Sequence, residues 1–242
     1  MDRISPATRP ADRPAGFQRW RDLLFLHWEV SADALRPLLP KALSVDTFED
    51  RAFVGVVPFT MRDVSASWSP SVPGISNFHE LNVRTYVHRG GEDPGVWFFS
   101  LDAAKAIAVL LARVGWGLPY HFASMDLDRE GDLVRYRSRR LFPGPKPAEF
   151  EARYRIGEPL GIAAPETLEH FLVERYILFS EVGGGALKIG RVHHSPYRLQ
   201  RAELLELRQN MVEAAGLPAP EGAPHVLWSP GVDIDVYGLT DS

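Results

Sequence analysis

The stretch Phe78-His79-Glu80-Leu81-Asn82-Val83-Arg84-Thr85-Tyr86 alternates strictly. As a strand it would set Glu80, Asn82, Arg84 and Tyr86 on one face and Leu81, Val83, Thr85 and Val87 on the other. A carboxyl, an amide and a guanidinium on one face could line a polar cavity in a curled sheet. Arg84 would hold a ligand carboxylate, Asn82 would add a polar contact, and Glu80 would move a proton. The plainer alternatives are a Glu80–Arg84 structural ion pair or a solvated face. A second candidate is Gly117-Leu118-Pro119-Tyr120-His121, a turn with a phenol and an imidazole directly behind it. Tyr120 could donate to a carbonyl or developing enolate and His121 could carry a proton. A regular strand would let only one of the two point inward. His27, in Leu-Phe-Leu-His-Trp-Glu-Val, shares a face with Phe25 and Glu29 and could enter the same cavity or serve as a hydrogen-bonded structural residue. Trp28, Trp97, Phe99 and Trp116 supply aromatic surface suited to ligand contact or to a core.

Other chemistries find no support. There is no cysteine, hence no thiolate nucleophile or Cys-ligated metal. Eight histidines include no HxH or HExxH pattern, and adjacent His193 and His194 would face opposite sides of a strand, so no metal is expected. The glycines at 183 to 185 lack a phosphate-loop continuation and read as a turn. His-His-Ser-Pro-Tyr has no nucleophile elbow around it. Arg135, Arg137 and Arg139 share one strand face, as do Glu151, Arg153 and Arg155 on the next, which reads as a solvated sheet face or an anion-binding wall. The net charge of −4 argues against a nucleic-acid binder. No apolar run is long enough to span a membrane and the N-terminus carries no signal-like segment, so a cytoplasmic protein with a small-molecule partner is expected. An edge strand or an apolar helix face could support a homo-oligomer, though no residue demands one.

The elements that must position these residues are mostly strands. Residues 23–30 read as a strand, with Ser31 capping a short helix that ends at Pro40. Two β-rich runs meet at Glu49-Asp50-Arg51 in a hairpin-like link. The loop from Ser65 to Ser76, with Trp68, is a lid or a long connection. Asp102 is expected to cap an apolar helix that Gly115 ends. The turn Glu130-Gly131-Asp132 and the link Phe142 to Pro147 separate three further strands. Arg198 to Gly216 reads as an amphipathic helix, and the last strand falls within His225 to Leu239. With 45% hydrophobic residues, 242 residues can form one domain from residue 17 onward behind a mobile tail of residues 1–16. The class is α+β and mainly antiparallel β, a meander sheet curled into a barrel or cone with a few peripheral helices.

Six segments in order, FLHWEVSADALRPLLP, VGVVPFTM, FHELNVRTYV, VWFFSLDAAKAIAVLLAR, GLPYHFASM and HHSPYRLQRAEL, resemble the YqjF-like family, a bacterial group without an assigned reaction. That family is similar to acetoacetate decarboxylase, which implies an antiparallel sheet curled around a central pocket. The decarboxylase forms a Schiff base on a lysine whose pKa an adjacent lysine lowers, in a segment that follows a Gly-x-Pro turn. Gly117, Leu118 and Pro119 match the turn, while Tyr120 and His121 stand at the lysine positions. Neither phenol nor imidazole condenses with a ketone, so Schiff-base decarboxylation is not expected and no cofactor is implied. Lys105 lies nearest in sequence but has no adjacent lysine to lower its pKa. The resemblance also sets Glu80 at the position of the decarboxylase's pocket glutamate, facing residues 120 and 121. Two readings stay open: a binding protein for a small carbonyl, carboxylate or aromatic compound, and a lyase, hydratase or isomerase acting through an enolate.

Overall fold

In a computed structural model that describes residues 1–68, 76–105, 117–183 and 185–241, thirteen strands form one large, mostly antiparallel sheet with few helices. The strands are β1 (Gly16–Val30), β2 (Ser44–Val45), β3 (Ala52–Ala66), β4 (Phe78–Arg89), β5 (Glu92–Ala103), β6 (Tyr120–Glu130) and β7 (Leu133–Phe142). They continue with β8 (Glu149–Ile162), β9 (Ile177–Val182), β10 (Ala186–His193), β11 (Arg198–Gln209), β12 (His225–Val236) and β13 (Thr240–Asp241). The described α-helices are α1 (Ala32–Leu35), α2 (Leu168–Val173) and α3 (Met211–Ala214). Ser31 caps α1 as its sequence suggests, accepting from the Asp33 amide.

The sheet closes on itself twice. Pairing runs β5-β6-β7-β8-β11-β12-β1-β3-β4 and returns to β5, because β4 and β5 also pair. A second closure passes from β5 through β9 and β10 to β12 and shares β12, β1, β3, β4 and β5 with the first. The first ring is packed solid, with Leu24, Leu26, Val54, Leu81, Val83, Tyr136 and Phe150 in one apolar cluster. The second ring is lined by Leu23, Phe25, Val57, Phe59, Met61 and Val96, and it is hollow. A simple meander is interrupted where β5 pairs in parallel with both β6 and β9.

The middle of β4 is buried on both faces, and its sequence shows how this is achieved. Leu81 and Val83 enter the packed ring while Glu80, Asn82 and Arg84 enter the hollow one. At the crossing of β1 and β12, Gly231 has φ +124°, and a Cβ there would lie 1.9 Å from the Trp20 carbonyl oxygen, so only glycine lets these strands pass.

Three expectations are corrected. Arg198 to Gln209 is strand β11 rather than a helix, and only Met211–Ala214 is helical, with Gly216 at φ +89° after it. The register of β11 on β8 shifts three times, between Leu199 and Gln200, between Gln200 and Ala202, and between Leu204 and Glu206. Leu199 is buried and Ala202, Leu204, Leu205 and Leu207 are half-buried, so the shifted register breaks the simple alternation that would mark a strand. Across the pair, Arg155 meets Glu203 at 2.8 Å and Arg153 meets Glu206 at 3.0 Å. Asp102 is not a helix cap but a fully buried strand residue, held by Arg140 at 2.8 and 2.7 Å. The run before Glu49 pairs with β4 through β2, so at the expected hairpin only the Phe48–Arg51 bridge forms. The helix expected after Asp102, and most of the expected lid, lie outside the described residues.

The Arg135 to Arg139 face is solvated, with exposed ion pairs from Arg135 to Glu151 and from Arg137 to Asp126 and Asp128. Among the described residues, no helix is long and apolar enough to cross a membrane and no cluster of three or more acidic or histidine ligands could hold a metal.

Candidate functional site

The hollow ring encloses a cavity of about 450 Å³. Its polar wall begins with Glu80, Asn82 and Arg84 on β4, each less than a tenth exposed. Tyr120 joins them from the first position of β6, its hydroxyl donating to Glu80 Oε2 at 2.9 Å. Parallel pairing of Leu101 with Tyr120 fixes that geometry. Burial pushes the Glu80 carboxyl up to about 8 against the opposing pull of the Tyr120 hydrogen bond, and the charge of Asp102 adds to the rise. At neutral pH Glu80 is therefore a carboxylic acid that accepts from Tyr120 and retains a proton to give.

Arg84 has the opposite problem. Its Nη2 donates to the Leu172 carbonyl at 3.0 Å, and its guanidinium lies 5.8 Å from the ring centres of Phe25 and Tyr86. Its Nε has no partner, and among the described residues no carboxylate lies within ion-pair distance. Arg175 also lines the cavity, and it does have a counter-charge, Asp46 at 3.0 Å. Its Nε donates to the Phe171 carbonyl at 2.9 Å, so both arginines are anchored on open carbonyls near the C-terminal end of α2. Asn82 Oδ1 is likewise buried without a partner. The wall thus carries a cation without an anion, an unsatisfied amide and a neutral acid, a set complementary to a ligand that brings one negative charge and a hydroxyl or carbonyl.

His27 does not line this cavity. It lies behind Arg84 against Gly55, where an added Cβ would come within 2.9 Å of the imidazole. Tyr86 spends its single proton on the Leu172 carbonyl at 2.6 Å, so His27 Nε2, 2.7 Å from the Tyr86 oxygen, is the donor between them. Burial, aided by the Arg84 and His225 charges, holds His27 well below the usual histidine range, in keeping with a neutral supporting residue. His121 does not line the cavity either, because one position after Tyr120 the strand turns it outward, where Nδ1 donates to the Pro143 carbonyl at 2.9 Å. Trp116 lies outside the described residues. Trp28 packs in the solid ring, and Trp97 and Phe99 lie against a separate apolar cluster. None of the described lining residues is a lysine, and Lys105 is half-buried beyond the end of β5.

Sequence reasoning missed Arg175 and Tyr197, both buried and both lining the cavity. The available signal was charge inside an apolar run, Glu174-Arg175 in Leu-Val-Glu-Arg-Tyr-Ile-Leu. Glu174 lies under the site and accepts from the Tyr197 amide at 2.9 Å.

The state of Glu80 affects folding as well as binding. Its pKa rises from 4.5 unfolded to about 8 folded, so between those values the native state holds more protons than the unfolded chain and stability falls as pH rises. The slope is at most about 1.4 kcal/mol per pH unit. The buried histidines, with lowered pKa values, work in the opposite sense only below about pH 6.5. Wild-type melting temperature should therefore fall between about pH 7 and about pH 8.5, and Glu80→Gln should remove most of that fall. Parallel melting curves for the two proteins would count against a raised Glu80 pKa.

The mostly antiparallel, closed sheet has solved counterparts among acetoacetate decarboxylase-like proteins. An acetoacetate decarboxylase-like enzyme from Sphingomonas wittichii RW1 superposes with a TM-score of 0.66 at 12% identity, over 96% of this chain and 94% of that one. Acetoacetate decarboxylase from Legionella pneumophila gives 0.65 at 16%, over 98% and 94%. The enduracididine biosynthesis enzyme MppR complexed with pyruvate gives 0.64 at 15%, over 96% and 91%. At these identities the likeness concerns the fold. The chain itself belongs to the DUF2071 family of uncharacterized conserved proteins, which its residues 17–233 match. It is 38% identical over 223 residues to the uncharacterized protein YqjF of Bacillus subtilis strain 168, covering 92% of this chain and 90% of that one.

Proposed function

We propose that this barrel-like, cytoplasmic protein binds a small carboxylic acid bearing a neighbouring carbonyl or hydroxyl group, with Arg84 as its counter-charge and the Glu80–Tyr120 pair at its second polar group. The observation that carries this reading is the buried Arg84 guanidinium, which has no carboxylate of its own among the described residues. An arginine in that state is stabilised by a ligand anion, and its planar fork suits a carboxylate. The pyruvate in the MppR complex, a 2-oxo acid within the same fold, adds support by analogy.

A second reading, an enzyme working through an enol or enolate, is favoured by Glu80 in particular. A carboxyl titrating near 8 is poised for proton transfer at neutral pH. With the ligand carboxylate on Arg84, Glu80 would give its proton to the ligand and Tyr120 would hold the carboxylate left behind. Schiff-base chemistry finds no support in the described lining, which contains no lysine.

Calorimetric titration with 2-oxohexanoate and with its primary amide tests the binding reading. The acid should bind and the amide should not, since only the acid neutralises Arg84. Affinity for the acid should fall above about pH 8 as Glu80 ionises beside it, by up to about tenfold per pH unit, and Glu80→Gln should level the profile. Equal binding of acid and amide would rule out Arg84 as the determinant.

A further inference from the structure

The polar groups occupy only part of the cavity. Along β3 the wall proceeds from Val57, opposite Asn82, through Phe59, opposite Glu80, to Met61 and then to Ser65 and Ala66 beside Phe17 and Gly16. Between the polar wall and this rim the side chains are apolar, with Phe98 and Leu118 facing the same space. Phe17, beside Gly16, is exposed, which places this end of the wall near the protein surface. A volume of about 450 Å³ is room for roughly fifteen waters, far more than a three-carbon acid fills. Apolar walls left uncovered forfeit both burial and dispersion contacts.

We infer that the ligand is an amphiphilic acid, with its carboxylate and oxo or hydroxy group at Arg84 and Glu80 and an unbranched or aryl apolar tail running along Phe59 and Met61 toward the rim at Gly16. This rests on the carboxylate reading above for the head group and adds the substrate class. A tail of several carbons places each added methylene against Phe59, Met61, Phe98 or Leu118, and the rim sets its maximum length.

Titrating the full chain with straight-chain 2-oxo acids of about three to ten carbons, each beside its primary amide, tests this. Each methylene buried should tighten binding about fourfold until the rim is reached, after which affinity levels off. Val64→Phe, near the rim, should weaken the longest acids and leave the shortest unchanged. Affinity independent of chain length, with acids still preferred to amides, would overturn the tail assignment and leave the head-group reading intact. Amides that follow the same slope with the same affinity as the acids would support the tail and overturn the role of Arg84. No binding by any acid would overturn both.

Discussion

Arg140→Met should lower stability by about 3–5 kcal/mol, the range found when one partner of a buried ion pair is removed. For a chain of this size that is a drop in melting temperature of roughly 6–20 °C. The cause is Asp102, which is fully buried and would be left as a charge without a partner. The pair also sits where the sheet is least regular. Asp102 is on β5 opposite His121 on β6, and Arg140 reaches it from β7, so one guanidinium ties together the strands that set Leu101 against Tyr120. Adding Asp102→Asn to Arg140→Met removes the stranded charge and should restore at least half of the loss, which thermal denaturation of the three proteins would measure. A single variant that melts within about 2 °C of wild type would contradict this account of the pair.

Arg84→Gln should weaken binding of a 2-oxo acid by about 2–5 kcal/mol, or roughly thirtyfold to several thousandfold, as expected when one member of a buried, hydrogen-bonded charge pair is truncated. Arg84→Lys should restore little, because one ammonium cannot both reach the Leu172 carbonyl and present a planar fork to a carboxylate. The stability of the ligand-free protein should move the other way. Arg84 is a buried cation without a carboxylate among the described residues, so a neutral replacement should leave the melting temperature unchanged or raised, as Tyr86 still satisfies the Leu172 carbonyl. Binding within threefold of wild type would remove Arg84 from the site. A large loss of stability would make it a structural residue.

The readable parts of this molecule were those in which one strand carries its own pattern. The alternation from Phe78 to Arg89 placed Glu80, Asn82 and Arg84 on a common face without knowledge of β3 or β5, because a period of two is fixed by the pleat. The rule that only one of Tyr120 and His121 could face inward held, but choosing Tyr120 required the pairing of Leu101 with Tyr120 across the parallel junction. Residues 198 to 209 misled because register shifts break the alternation of β11 on β8, and their Leu, Glu and Arg content favours a helix until β8 supplies a partner. Arg175 and Tyr197 were invisible as site residues, since the chain brings them to Arg84 from about ninety residues and more away. The existence of two closures rather than one follows from long-range pairings of β5, β10 and β12, and no local pattern encodes those.

Because β4 belongs to both closures, it has no face on which sequence drift is free. A slip of one residue would drive Glu80, Asn82 and Arg84 into the space of Leu81 and Val83, so the register is penalised from both sides. An insertion or deletion within this strand would therefore disturb the packed ring and the cavity at once. On the binding reading proposed above, the polar wall of the cavity is thus held to a fixed reading frame by the packed ring behind it.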